Sequence, residues 1–246
     1  VVAAVLLGIM ATTPPGPAGL ATPPKAFSAE RAMQIVDTIA VEPHATGTAA
    51  NAVVRDKLVQ KLTSLGFQVA TSQSPIDDKG LKIYEHWSGV RLSSLTLTNI
   101  IAVLPGRDRS LPAVALMAHH DTVWGSPGAA DDSAAVAVSL EVARAIRSAG
   151  LQQRDLVLIL TDGEELGLQG ARQFFAADPL RGHIGAVINM EARGGGGRTT
   201  LFQTSHNNGD AVRLFAEAVR TPGASSLSAY IYSLLPNDTD LTPVIK

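Results

Sequence analysis

Three apolar runs of this chain end in side chains that bind divalent cations. Val114-Ala-Leu-Met-Ala118 ends in His119-His120-Asp121. Leu156-Val-Leu-Ile-Leu160 leads through Thr161-Asp162-Gly163 to Glu164-Glu165, and Ala186-Val-Ile-Asn-Met190 ends in Glu191. Imidazole nitrogen and carboxylate oxygen are donors for hard or borderline cations. Charges this close to an apolar core are costly unless paired or metal-bound. There are no cysteines, so neither thiolate ligands nor a disulfide framework can contribute.

The elements that must position these residues follow from the apolar pattern. Short, continuously apolar runs rich in β-branched residues read as strands buried on both faces, as in parallel sheets. In such sheets ligand sites form beyond the carboxyl ends of the strands. Ser28 caps a predicted helix to Ala40 whose inner face is Met33, Val36 and Ile39. A second helix runs from Thr48 to Leu65, with Val54, Leu58, Leu62 and Leu65 as its stripe and Gly66 at its C-terminal cap. Further strands are predicted at Phe67–Ser72, Leu95–Leu104, Ala113–Ala118, Leu156–Leu160, Ile184–Met190 and Leu201–Thr204. Further helices are predicted at Ser133–Ser148, Leu168–Ala177 and Asp210–Arg220, with Ser74–Ser93 as an irregular loop. The alternation implies an α/β fold, a three-layer α/β/α sandwich around a mainly parallel mixed sheet. No internal repeat is present.

The chain has 246 residues and is 46% hydrophobic, enough for a sizeable core. Its net charge of -2 argues against a nucleic-acid partner. Val1 to Met10 is almost wholly apolar but too short to span a bilayer, which takes about 20 residues. A Pro/Gly/Ala-rich stretch, Thr12 to Pro24, follows. Residues 1–27 therefore read as the end of a signal or membrane anchor plus a linker, and residues 28–246 as the functional domain. That reading implies an exported or membrane-tethered, extracytoplasmic protein; the alternative is a flexible apolar tail. At the other end, Leu241-Thr-Pro-Val-Ile-Lys246 breaks off within what reads as a starting helix, so a domain incomplete at its C-terminus is expected.

Taken in order, the pieces are His119-x-Asp121, Gly128-Ala-Ala-Asp131-Asp132-Ser133, Asp162-Gly-Glu164-Glu165-Leu-Gly and Asn189-Met190-Glu191. This series resembles the co-catalytic zinc aminopeptidases related to aminopeptidase Y and bacterial leucyl aminopeptidases. Asn-Met-Glu-Ala-Arg-Gly, Leu201-Phe-Gln-Thr204 and Asn237-Asp-Thr-Asp240 are most similar to the endoplasmic reticulum metallopeptidase branch. The resemblance implies a zinc-exopeptidase (phosphorylase/hydrolase-like) fold and a two-zinc centre. It implies hydrolysis of peptide bonds at a peptide or small-protein N-terminus, by metal-bound hydroxide and a glutamate base. By that resemblance His119 and Glu191 ligate the first zinc, Asp131 bridges both and Glu165 ligates the second. Glu164 is the general base, Asp121 orients His119, and the bond from Asp131 to Asp132 is cis. Two dications about 3.5–4 Å apart need an anionic bridge. A ligand histidine needs a partner for its other ring nitrogen. The family's last ligand, a histidine, would fall beyond Lys246, so residues 28–246 alone are expected to hold the second zinc weakly and to turn over little.

Each candidate has a plainer reading. His119, Asp131, Glu165 and Glu191 could form ion pairs at strand ends, Asp131 or Asp132 could cap the helix at Ser133, and Glu164 could be a loop glutamate. Their joint occurrence favours metal. His120 is expected to face away from the metal, His44 to lie in a loop before a helix, and His183 and His206 to lie at the surface. Of Asp238 and Asp240, Asp238 is the candidate for a role beside the site. Gly194–Gly197 reads as a connection, since no helix follows it as in a phosphate loop. Two rivals remain: a glutaminyl-cyclase-like acyltransferase with one zinc, and a non-catalytic receptor module on the same fold, which would need no general base.

Overall fold

The computed structural model describes residues 1–150, 152–192, 197–236 and 238–245. The element order is α1 (Val2–Thr12), α2 (Ala29–Ile39), α3 (Ala49–Ser64), β1 (Gln68–Pro75), α4 (Asp78–Ser88), β2 (Thr96–Leu104), β3 (Ala113–His119), α5 (Ala134–Ala149), β4 (Leu156–Thr161), α6 (Gln169–Ala177), β5 (Ile184–Asn189), α7 (Gly209–Ala218), α8 (Ser226–Leu234) and α9 (Thr242–Ile245). The strands form one sheet in the order β1-β2-β4-β3-β5. β3 pairs in parallel with β4 and β5, while β2 is antiparallel to both β1 and β4. Only β2 is therefore reversed, and the sheet is mixed but mainly one-directional.

Alternation along the strands sorts the core into two layers. Ile100 and Ala102 on β2, Leu116 and Ala118 on β3, and Leu158 and Leu160 on β4 pack under α2, α3 and α5 through Ile39, Val54, Leu58, Leu62, Val136 and Leu140. The intervening Ile101, Ala115, Met117, Val157 and Ile159 pack on the other face against Phe174 of α6, with Val244 of α9 at the margin. The result is the expected α/β/α sandwich.

Local rules explain most element ends. Ser28, Thr48 and Asp77 each accept a backbone N–H at the start of α2, α3 and α4. Gly66 and Gly89, at φ 81° and 71°, stop α3 and α4 in the left-handed conformation that glycine adopts without strain.

Several expectations need correcting. The stretch read as a loop between Ser74 and Ser93 contains α4, capped by Asp77 and packed through Leu81, Ile83 and Tyr84. Leu201–Thr204 is not a strand among the described residues: Leu201 makes one isolated bridge to Ala224. Met33 is 52% exposed, and Ala32 takes its place beside Val36 and Ile39. Val2–Thr12 is a helix whose large side chains are all exposed. Part of the predicted linker is tied down: Arg31 donates to the carbonyls of Leu20, Thr22 and Ala26, and Arg144 to those of Pro24 and Ala26. Both guanidiniums also pair with the buried carboxylate of Glu141. Gly194, Gly195 and Gly196 of the predicted connection lie outside the described residues, as does Asn237.

Leu158 is fully buried at the centre of β4. Leu158→Ala should destabilise the chain by about 2–5 kcal/mol, read from the urea midpoint. Met33→Ala should stay within about 0.5 kcal/mol of the parent.

Candidate metal centre

β3, β4 and β5 run in parallel, and their carboxyl ends deliver His119, Thr161 and Asn189 to one edge of the sheet. His119 is the last residue of β3 and is 1% exposed. Its Nε2 lies 3.0 Å from Asp131 Oδ1 and 3.8 Å from Glu191 Oε1. Among the described residues, His119, Asp131 and Glu191 form the group whose donor atoms all lie within 4.8 Å of one another. Ligands bound tetrahedrally at about 2.1 Å stand about 3.4 Å apart, so the two measured separations bracket what a zinc ion needs.

The other ring nitrogen decides the reading. His119 Nδ1 lies 3.0 Å from the main-chain carbonyl oxygen of Asp121. A carbonyl only accepts, so Nδ1 carries the hydrogen. In the neutral ring, the Nε2 lone pair then points at two carboxylates. Something positive must lie between them, either a proton or a cation. Burial by itself would lower the His119 pKa, but the carboxylates of Asp121, Asp131 and Glu191 outweigh it and hold it well above the usual imidazole value.

Asp131 is brought to His119 by a tight connection. Gly128 sits at φ 65°, and a Cβ there would collide with Thr122 and with the Asp131 carbonyl. The Asp131–Asp132 peptide is cis, as the resemblance implied. Asp132 turns inward, where its Oδ2 accepts the His119 amide at 3.2 Å and its Oδ1 has no hydrogen-bond partner. Asp131 stays open, with its side chain 52% exposed, whereas that of Glu191 is 8% exposed.

Glu164 and Glu165 stand on a tight turn after β4. Gly163 and Leu168 both adopt positive φ, and the amides of Gly167 and Leu168 close onto the Glu164 carbonyl at 2.8 Å. Glu165 belongs to no three-residue donor group among the described residues. It is nonetheless within the field of the centre: burial, reinforced by Asp121, Asp131 and Glu191, pushes its carboxyl up to about 7 against the pull of His119. Burial likewise raises Glu164 well above the carboxylate range, helped by Asp240, Glu191 and Asp121.

Asp121 is placed differently from its expected role. Its carboxylate is 3.6 Å from His119 Nδ1, too far for a hydrogen bond, and its backbone carbonyl makes the close contact instead. The carboxylate accepts the amides of Glu164 at 3.1 Å and Glu165 at 3.3 Å. Asp121 therefore orients the histidine with its main chain and the two glutamates with its side chain.

The aspartate that reaches the centre from the last segment is Asp240, not Asp238. Asp240 is 1% exposed and accepts from the Thr161 hydroxyl, and its Oδ1 has no hydrogen-bond partner. Burial, together with Asp121 and Glu191, lifts it to about 7 although His119 pulls it down. Asp238 is exposed and accepts from Thr242 Oγ1. The spacing of the two aspartates about Thr239 was visible in the sequence, but which one turns inward depends on packing.

His120 faces away as expected, its Nε2 3.1 Å from the Thr98 carbonyl. His44 lies in the loop before α3 as expected, and it is buried there; its amide donates to Thr122 Oγ1, and burial lowers its pKa. His206 is exposed, and His183 is partly exposed and lies 3.5 Å from Asp155.

Comparison with known proteins places this geometry. Mouse endoplasmic reticulum metallopeptidase 1 is 30% identical over 231 residues, covering 87% of this chain and 25% of that protein. A Candida albicans vacuolar membrane protease is 32% identical over 193 residues, covering 78% of this chain and 21% of that protein. The chain thus spans about a quarter of the length of these relatives. The aminopeptidase from Aneurinibacillus sp. strain AM-1 superposes with a TM-score of 0.65 at 13% identity, covering 85% of this chain and 84% of that one. Porphyromonas gingivalis glutaminyl cyclase gives 0.65 at 23% identity, covering 89% and 79%. At such identities the solved structures share the fold and nothing finer. Residues 99–246, which carry every donor described above, match Peptidase family M28, and the chain belongs to that family.

Proposed function

We propose that this chain is the catalytic part of a zinc-dependent exopeptidase, by preference an aminopeptidase. The observation that carries the reading is the His119 Nε2 lone pair turned towards the Asp131 and Glu191 carboxylates. That donor set, one nitrogen and two anionic oxygens, fits zinc. His119, Asp131 and Glu191 would hold one ion, and Asp131 with Glu165 would reach a second. Bound zinc would polarise the scissile carbonyl and lower the pKa of a water towards about 7.

The chain's own groups do the rest. Glu164, half-buried beside the centre, is the general base. Its carboxylate takes the proton of the attacking water and passes it to the leaving amine. Asp121 fixes the backbone from which Glu164 and Glu165 project. The carboxyls of Glu164, Glu165, Glu191 and Asp240 offer hydrogen-bond acceptors for the α-ammonium of a peptide N-terminus.

The likeness to glutaminyl cyclases keeps one rival in play, acyl transfer around a single zinc. Two zinc ions per full-length protein favour the peptidase, and one favours the cyclase. The organellar membrane relatives support an extracytoplasmic, membrane-associated setting. Among the described residues no helix is long and apolar enough to cross a membrane. The exposed apolar face of α1 supports an N-terminal tether.

Two outcomes test the proposal. In the full-length protein, Glu164→Gln should keep fold and zinc while kcat falls by about 10²–10⁴-fold, whereas His119→Ala should lose zinc by elemental analysis. Wild-type turnover by Glu164→Gln would remove the base assignment. The second outcome concerns pH. With chelator present, Glu165 and Asp240 take up protons near pH 7 when folded and near the ordinary carboxylate value when unfolded. The folded state then holds the extra protons, so stability is present at low pH and lost as pH rises through about 7. His44, lowered by burial, pulls weakly the other way. The melting temperature of chelator-treated protein should fall between pH 5 and 8, and zinc should reverse the fall; a melting curve indifferent to zinc at pH 8 would contradict the metal centre.

A further inference from the structure

The segment Pro43-His-Ala-Thr-Gly47 has no part in the chemistry so far, yet it runs directly beneath the turn that carries Glu164 and Glu165. Thr46 is 1% exposed. Its Oγ1 lies 3.2 Å from Asp121 Oδ2 and 2.9 Å from Asp162 Oδ1. A Cβ built on Gly163, between Asp162 and Glu164, would come within 3.8 Å of the same hydroxyl.

Each carboxylate has its own hold on the turn. Asp121 accepts the amides of Glu164 and Glu165. Asp162 precedes Glu164 by two residues, and its Oδ2 accepts the Thr98 amide of β2 at 2.8 Å. Its own amide donates to Asn99 Oδ1 at 2.9 Å, and Asn51 Nδ2 lies 3.4 Å from its Oδ1. Asp162 is thereby anchored to β2. Asp121 follows β3 and has no such anchor at its carboxylate; its three donors are the two glutamate amides and Thr46, all at 3.1–3.3 Å.

We propose that Thr46 is a positioning residue of the catalytic turn: its hydroxyl joins Asp121 to the anchored Asp162, and through Asp121 it fixes where Glu164 and Glu165 stand. A hydroxyl has one hydrogen, which the two carboxylates must share. Asp162 keeps two other donors without it, while Asp121 would keep only the amides it is meant to hold. The 2.9 Å contact favours Asp162 Oδ1 and the 3.2 Å contact reaches Asp121 Oδ2, so the hydrogen lies between them in a three-centre bond, and Asp121 depends on its share more than Asp162 does. Losing it leaves a buried carboxylate short of a donor, which costs more than a neutral hydrogen bond. The bonds of the turn are long, so their loss loosens the turn and leaves the core intact. A shift of about 1 Å at a catalytic group costs about 10²-fold in rate.

The effect on catalysis rests on the reading of Glu164 as base; the effect on the backbone does not. Thr46→Val, close in shape and without the hydroxyl, tests both in the full-length protein, with Thr46→Ser as the rescue. Hydrogen exchange of the Glu164 and Glu165 amides is followed with and without zinc, alongside peptidase kinetics. Thr46→Val should exchange these amides about tenfold faster than wild type and lower kcat at least about tenfold, with KM within about twofold. Thr46→Ser should restore exchange and kcat together. Unchanged exchange in Thr46→Val overturns the proposal, whatever the activity. So does wild-type protein whose Glu164 and Glu165 amides exchange at unprotected rates, a measurement that needs no variant to fold. Faster exchange in a protein without peptidase turnover upholds the positioning role and sinks the peptidase reading instead.

Discussion

A neutral imidazole whose Nδ1 hydrogen is committed to a carbonyl cannot turn its other nitrogen towards two carboxylates unless a positive charge lies between them. His119 is in that position, with the Asp121 carbonyl on one side and Asp131 and Glu191 on the other. The acids around it share the difficulty. Asp132, Glu164, Glu165 and Asp240 are all pushed towards the neutral form, primarily by burial and then by neighbouring carboxylates, Glu191 among them in every case. A protein that had only to fold would gain by replacing some of them with apolar residues, since buried charges without a partner destabilise. A bound cation would offset repulsion that protons relieve only at lower pH.

The sheet makes that convergence unavoidable. Because β3, β4 and β5 are parallel neighbours, their carboxyl ends meet at one edge whatever the loops do. The loops then do specific work. Gly128 lets the chain turn back so that Asp131 reaches His119, a conformation and a closeness that no side chain would tolerate. Gly163 and Leu168 bend the segment after β4 enough to expose two adjacent glutamates while their amides stay held from below. The strands set coarse position and the turns set direction, so mutations in the two should have different consequences, one in stability and the other in chemistry.

What the sequence revealed and what it hid divide along the same line. The buried strands were legible because continuous apolar runs have few other uses, and the donors at their ends inherited that clarity. Helix α4 was hidden by its composition: Asp78, Lys79, Lys82, Glu85 and His86 face water, and only Leu81, Ile83 and Tyr84 mark the inner side. Asp77 as cap and Gly89 as stop were the signals available. Leu201–Thr204 was read as a strand, but a strand also needs a paired neighbour, and among the described residues only the bridge to Ala224 is there. Asp240 could not be preferred over Asp238 from spacing alone, since both flank Thr239 and only packing chooses the one turned towards Thr161. The carboxylate of Asp121 was expected on the imidazole. Residue type could not reveal that the backbone carbonyl, which every residue has, would take that contact.

The fold by itself does not select a reaction, since an aminopeptidase and a glutaminyl cyclase superpose on this chain equally well. On the proposed reading, selection would come from how tightly the proton-carrying group is placed, because hydrolysis needs a base that both accepts from water and donates to an amine across one small gap. Here the backbone of Glu164 is held by Asp121, and the Asp121 carboxylate is bonded from the segment at Thr46. That segment lies 116 residues before Asp162 in the chain. A glutamate located by contacts this distant in sequence is set by the fold as a whole. Buried polar residues under the site, Thr46 among them, would therefore matter to the chemistry as well as the donors themselves.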